Sequence, residues 1–392
     1  MKKAIEFSER RYDIDWLRIM LILSVFLFHI GMYFNSWDWH IKNPDKVMWL
    51  DPIMAYLHRW RMPLLFLVSG VGTYFALGQR TMIQFVGERS RKLLIPLIFG
   101  MFIIVPPQVY VEKQAQFGSF INFIPHITEG TYPEGNFSWH HLWFVLYLFI
   151  CATAAIPFIL VLRSKYGKSI YSVLESLSNI KGIFLLLVIP LFLSQLYLLQ
   201  FFPRETHALI NDWAYISYSF LFFLYGYTLL SNKVLIRNLI TQRWIFGILA
   251  IIMTALFFFD WFSSIDPFVH DAVQLFLSCL LELTIALTLI SFAARYLNHD
   301  HPWRHYLNEA IYPFYILHQT AIIVLGNYLT DAFLPTGIKA LVLTVGSFVT
   351  CVSVYLLFIR PFAITRILFG MHVRRKGLHL KELKNAPFRA VS

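Results

Sequence analysis

The sequence predicts an all-α membrane protein, a bundle of about ten transmembrane helices with both termini on the cytoplasmic side. Three observations predict it. Of the 392 residues, 58% are hydrophobic and only 14% charged, where a soluble chain carries about a quarter charged residues. Apolar runs long enough to cross a hydrocarbon core of about 30 Å recur from end to end. The cations are confined to short clusters between those runs, in alternate segments, as topogenic charge is.

The runs fall at about 15–35, 51–77, 93–111, 139–162, 182–200, 213–231, 244–261, 270–294, 306–328 and 338–360. The second and eighth are over-long for a straight span, which predicts tilt, a kink or an interfacial end. With the N-terminus inside, the inner segments carry about 25 Lys and Arg, among them Arg10, Arg80, Arg89, Lys168, Arg237 and the tail from Arg360 onward. The outer segments carry 5: Lys42, Lys46, Lys113, Arg204 and Lys339. The first run has no small-residue cleavage site and contains His29, so it reads as a retained helix rather than a signal peptide. Residues 1–361 form the transmembrane domain, and 362–392 a basic cytoplasmic tail that suits an interfacial helix on anionic lipid.

The net charge of +11 does not indicate nucleic acid, because no basic stripe is interleaved with stacking aromatics; no nucleic-acid partner is expected. Cys151, Cys279 and Cys351 all lie in apolar runs, and three scattered thiols define neither a disulfide framework nor a metal site. No internal repeat is visible, which weakens the repeat signature of many transporters.

Ionisable groups inside spans cost about 2.5–3.5 kcal/mol on insertion scales, so each needs a reason. The first helix holds Arg18 and His29, three turns apart on nearly one face and separated by about 16 Å along the axis. The second holds His58, Arg59 and Arg61 ahead of Pro63, which frees the Arg59 carbonyl and predicts a kink; Ser69 and Gly70 permit a close helix approach. The fourth opens on His140 and His141, the sixth on Asp212, and the eighth carries Glu282 at mid-span. In the ninth, Tyr312, Tyr315 and His318 share a face. His29, His141 and His318 are therefore expected to converge in the outer half of the bilayer, with Arg61 and Asp212 nearby. No close histidine pair has metal-ligand spacing, and no metal site is expected.

The order of these residues resembles the acyltransferase-3 family of integral membrane acyltransferases. Arg18-x10-His29 carries the resemblance, supported by DIDWLR around Asp15, RMPLLFLVSG from Arg61, ERSRKLLIP from Glu88, HLWFVLYL from His141, NDW at Asp212, and YPFYILHQ from Tyr312. It extends over most of the chain and is nearest the glucan-modifying subgroup of Gram-negative bacteria. No appended extracytoplasmic esterase-like domain is expected, so the acceptor meets the membrane domain directly.

The resemblance implies an acyltransferase of the inner (cytoplasmic) membrane. It moves acetyl or succinyl from cytoplasmic acyl-CoA, a co-substrate and not a bound cofactor, to a hydroxyl of an extracytoplasmic carbohydrate. It also implies that His29 is the catalytic histidine, paired with Arg18. The chemistry adds that a neutral imidazole suits a general base. Arg61, His141, Tyr315 and His318 complete the candidate catalytic set as donors or supports, and Arg18, Arg91 and Lys92 the candidate CoA-phosphate site. The alternative is a proton-coupled transporter or flippase of a sugar-linked substrate, with Glu282 as proton carrier.

Overall fold

The computed structural model describes residues 11–78, 80–259 and 267–372. Among the described residues there is no strand, only an isolated bridge between Thr131 and Phe137. Within the described residues every predicted run lies on a helix; the end of the seventh, 260–261, lies outside them. We label them α1 (Tyr12–Phe34), α2 (Leu50–Leu77), α3 (Met82–Glu112), α4 (His140–Arg163), α5 (Lys165–Ser178), α6 (Ile183–Leu198), α7 (Trp213–Leu230) and α8 (Lys233–Thr241). There follow α9 (Arg243–Phe259), α10 (Pro267–Tyr296), α11 (Pro302–Thr330), α12 (Thr336–Ile359) and the short α13 (Ala363–Leu368).

Among the described residues six helices are long and apolar enough to cross a membrane: α1, α2, α3, α4, α10 and α12. The α7–α8 pair, bent by 101°, makes a seventh if it is one span. The other predicted spans depart from that standard for visible reasons. α6 and α9 are shorter. α11 has 29 residues, but Arg304, Asn308, Glu309, His318 and Gln319 make it too polar; of these, Arg304 and Asn308 meet the inner end of α1 and His318 meets His29.

α1 and α11 run parallel and in register. Asp15 pairs with Arg304 at 2.6 Å and His29 with His318 at 2.8 Å, both at a sequence offset of 289. Tyr33 then donates to the Gly326 carbonyl at 3.1 Å. Polar contacts thus occur at both ends and the middle of the pair, while Phe26 against Phe314 fills the apolar interval (centroids 5.3 Å apart).

α2 packs across α1 and, most closely, on α7. A Cβ on Gly70 would lie 2.0 Å from the Phe223 carbonyl oxygen, and one on Gly226 would lie 1.8 Å from that of Leu67. Backbone touches backbone there, as small residues allow between membrane helices. Pro63 lies inside α2 without ending it. α3 is irregular: Ser90–Leu94 and Gly100–Ile104 are π turns on either side of Pro96. Such wide turns relieve lost backbone bonds and re-aim the chain.

Of the predicted tail, α13 packs on α3, and its buried Arg366 pairs with Glu309 of α11 at 2.8 Å. The tail therefore begins within the bundle. Its remainder, 373–392, lies outside the described residues.

Gly226→Ala is expected to separate α2 from α7, destabilising the protein by about 3 kcal/mol or preventing its folding. Loss of monodisperse protein, or a lowered midpoint in detergent thermal unfolding, measures this; an unchanged midpoint contradicts the backbone contact.

Candidate active site

The tautomers of His318 and His29 organise the site. A backbone carbonyl only accepts, so the His318 Nδ1 that lies 2.5 Å from the Tyr315 carbonyl oxygen carries a proton. In neutral His318, Nε2 is then a lone pair. The His29 Nδ1 at 2.8 Å from it must therefore be the donor. That leaves the His29 Nε2 lone pair as the basic atom of the pair. His318 is fully buried, and α1 and α11 hold the two rings with centroids 5.0 Å apart. On its other side His29 stacks on Trp39, centroids 6.0 Å apart and 15° from parallel.

His141, from the first turn of α4, closes the group. Its Nε2 donates to the Ile316 carbonyl at 3.0 Å, and its ring meets that of His318 edge-on at 5.2 Å. Tyr315 returns the bond by donating to the His141 carbonyl. Two consecutive α11 carbonyls, Tyr315 and Ile316, thus each accept from a histidine.

Arg61 is the charge at this site. Its guanidinium carbon lies 3.2 Å from the centroid of the Phe28 ring, on the residue preceding His29. Nε and Nη1 are buried without hydrogen-bond partners, and the residue is only 5% exposed. Buried donors are almost always satisfied, and contact with an aromatic face contributes about 2 kcal/mol when desolvated. That offsets only part of the several kcal/mol that burying a charge costs. The structure thus keeps two strong donors free beside His29.

The structure brings together His29, His141, Tyr315 and His318, with Arg61 against Phe28, and leaves other predicted residues apart. Asp212 is not with them: it accepts from the Tyr147 hydroxyl at 2.6 Å and from the amides of Thr206 and His207, both at 3.0 Å. It folds the loop ahead of α7, since a carboxylate among those donors is already satisfied. Glu282 lines a separate cavity with Arg59 and Arg204. At the other end of α1, Arg18 reaches Asp15 (3.6 Å) and Asn308 (3.3 Å) and lies beside Gly72. The cation that shares this corner is Arg89, on Thr73 at 3.1 Å. Arg91 is exposed and bonded to its own helix, at Gly87 O, and Lys92 is half-buried.

Sequence reasoning missed a network beside the histidines. Thr320 donates to Ile104 O (2.7 Å), Gln108 to Thr320 (2.7 Å), and Gln319 both to Gln108 (3.1 Å) and to His40 Nε2 (2.9 Å). His40 then donates from Nδ1 to Glu112, and His140 Nε2 lies 3.5 Å from the same carboxylate. The three possible ligand atoms of His40, Glu112 and His140 lie close enough to one another to hold a metal ion. The fit is poor, because the hydrogen-bond chain puts a proton on the nitrogen that would ligate. The two imidazoles are also stacked, 4.5 Å apart and 20° from parallel, so their in-plane lone pairs do not converge. These residues are hydrogen-bonded supports for α11 and the Trp39 segment. The signal available was weak: Gln319 adjoins His318, but His40, Glu112 and His140 are far apart in the chain.

With this geometry in hand, the comparisons with known proteins place the chain. Residues 11–358 match the family model described as an acyltransferase domain. The chain belongs to the acyltransferase-3 family of integral membrane proteins. It is similar to proteins named glucans biosynthesis protein C from Escherichia coli strains SMS-3-5 and K12, each 25% identical over 157 residues. That match covers 38% of this chain, and the chain spans 39% of the length of these curated relatives. No solved structure matches it.

The tautomer chain is directly testable. In histidine-labelled protein, nitrogen NMR is expected to show His29 and His318 as neutral Nδ1–H forms at neutral pH. An Nε2–H form of His29 contradicts the order of donors deduced above.

Proposed function

We propose that this chain is an O-acyltransferase of the inner (cytoplasmic) membrane, with ten spans and both termini cytoplasmic. It moves an acetyl or succinyl group, not an amino-acyl group, from cytoplasmic acyl-CoA to a hydroxyl of an extracytoplasmic carbohydrate. The observation that carries the reading is the pairing of a histidine whose basic nitrogen is set by its neighbours with a buried arginine that has free donors. Family membership and the glucan-related names of the similar E. coli proteins support the carbohydrate acceptor.

An alcohol is a weak nucleophile at neutral pH and needs a base within hydrogen-bond reach. His29 Nε2 takes the hydroxyl proton as the alcohol oxygen attacks the thioester carbon. Negative charge develops on the carbonyl oxygen, and Arg61 donates to it from Nε and Nη1. In a dry site such a donor is worth far more than in water. When the carbon–sulfur bond breaks, the electron pair leaves with sulfur, and His29 returns the proton to the thiolate. The positive charge that His29 carries in between is stabilised through Nδ1–H by His318, itself held by the Tyr315 carbonyl. Arg18 and Arg89 lie at the opposite end of α1, about 16 Å from His29 by helical rise. There they suit the CoA phosphates, so that the pantetheine arm spans the interval.

The test follows free thiol release from acetyl-CoA and succinyl-CoA by protein in lipid nanodiscs, with glucans as acceptors. His29→Ala is expected to lose at least about 10²-fold in rate while remaining folded. Equal release by both proteins overturns the role of His29, and no release with any donor and acceptor overturns the function. Arg61→Gln is expected to lower kcat about 10²–10³-fold. Arg89→Ala is expected to raise the acyl-CoA KM about tenfold at similar kcat, the pattern of lost ground-state binding.

A further inference from the structure

Beside the histidines, between α2, α6, α7 and α10, lies a cavity of about 250 Å³, near the lower end of small-ligand sites. Trp37 and Tyr215 contribute aromatic faces, and His58, Arg59 and Gln195 contribute polar groups. Arg204, Glu205, Tyr218 and Glu282 also line it.

Two features of the lining specify a ligand. The first is unmet hydrogen bonding. His58 Nε2 donates to Glu205 at 2.8 Å, so in the neutral ring Nδ1 is an acceptor, and it is buried with no partner. The Tyr218 hydroxyl is buried against Glu282 and Cys279, near enough to interact with both but outside hydrogen-bonding geometry with either. The second is charge balance: two guanidinium groups meet two carboxyl groups. Glu205 accepts from His58 Nε2 at 2.8 Å and from His207 Nε2 at 2.7 Å. A lining with aromatic faces, unpaired polar atoms and ionisable groups of both signs suits a neutral polyhydroxyl ring. It does not suit a lipid tail or an isolated anion.

The cavity is packed against the candidate active site through shared side chains. The Phe28 ring stacks on His58, centroids 5.8 Å apart and 23° from parallel, and carries Arg61 on its face. Trp37 meets His58 edge-on at 6.0 Å, while Trp39, two residues on, stacks on His29. A single segment after α1 therefore walls the cavity with one indole and covers the base with the next.

We propose that this cavity is the acceptor subsite, binding one neutral sugar ring against Trp37 and Tyr215 through His58 Nδ1 and the Tyr218 hydroxyl. The assignment rests on the acyltransferase reading above and adds to it where the acceptor binds and what recognises it. Glu282, which needs no role in proton-coupled transport, becomes part of a sugar-binding wall.

The experiment uses the full chain in nanodiscs with saturating acetyl-CoA and neutral glucose disaccharides of different linkage as acceptors. Tyr218→Phe and His58→Gln are each expected to raise the acceptor KM about fivefold, the worth of one hydrogen bond, with the acyl-CoA KM unmoved. A raised acyl-CoA KM at unchanged acceptor KM assigns the cavity to the acyl end and overturns the proposal, as does no change in either. If wild type releases no thiol with any donor, the acyltransferase reading fails by itself. The cavity is then judged by disaccharide titration under tryptophan fluorescence. A saturable change whose midpoint rises about fivefold in Tyr218→Phe upholds a sugar site, and its absence in wild type overturns it.

Discussion

The parallel pairing of α1 with α11 is the constraint from which the rest of the site follows. Polar contacts 14 residues apart on each helix, Asp15–Arg304 and His29–His318, lie about 21 Å apart along the axis by helical rise. Two such contacts at one sequence offset determine both the rotation and the sliding of the pair. A slip of one residue would turn either partner by about 100° and leave charged or polar groups against hydrocarbon. Because the pair is held in register, the His318 ring arrives where its Nε2 can accept only from His29. Within α11 the Tyr315 carbonyl accepts from His318, and the Ile316 carbonyl accepts from His141 of α4.

The second organising element is a group that the fold leaves unsatisfied. Arg61 sits on α2, which the glycine contact with α7 brings close enough for backbone to touch backbone. That contact and the α1–α2 packing place a guanidinium over Phe28, beside His29, with two donors unused. The cost is tolerable because the ring face compensates part of the desolvation, and because the surrounding helices are well packed. Free donors and a neutral imidazole base at one place are what acyl transfer from a thioester requires. The Gln319–His40–Glu112 network serves the same end by fixing the segment that carries Trp39 and by stiffening α11 immediately after His318.

Much of this was legible in the sequence. Residues that are costly in hydrocarbon mark their own importance, so His29, Arg61, His141 and His318 stood out one by one, and the common depth of the histidines followed from span boundaries. Arg89 was harder to judge, because a cation at a helix end is ambiguous between topogenic charge and a ligand site. Only its bond to Thr73, beside Arg18, separates it from Arg91 on the exposed side of the same turn. Asp212 shared the expected depth yet belongs to a loop, since depth says nothing about rotation around the bundle axis.

Hydropathy, charge placement and motif order by themselves determined the all-helical membrane class, the positions of the helices and the family. Each of these depends only on local composition and on residue order along one chain. What the tertiary structure alone decided is which faces meet. It set the register of α1 on α11, the tautomers of His29 and His318, and the isolation of Arg61. It also gathered His40, Glu112 and His140 from three segments, and enclosed Trp37, His58 and Tyr218 around one cavity. These depend on helix rotation and on contacts between residues hundreds of positions apart, which no local pattern encodes.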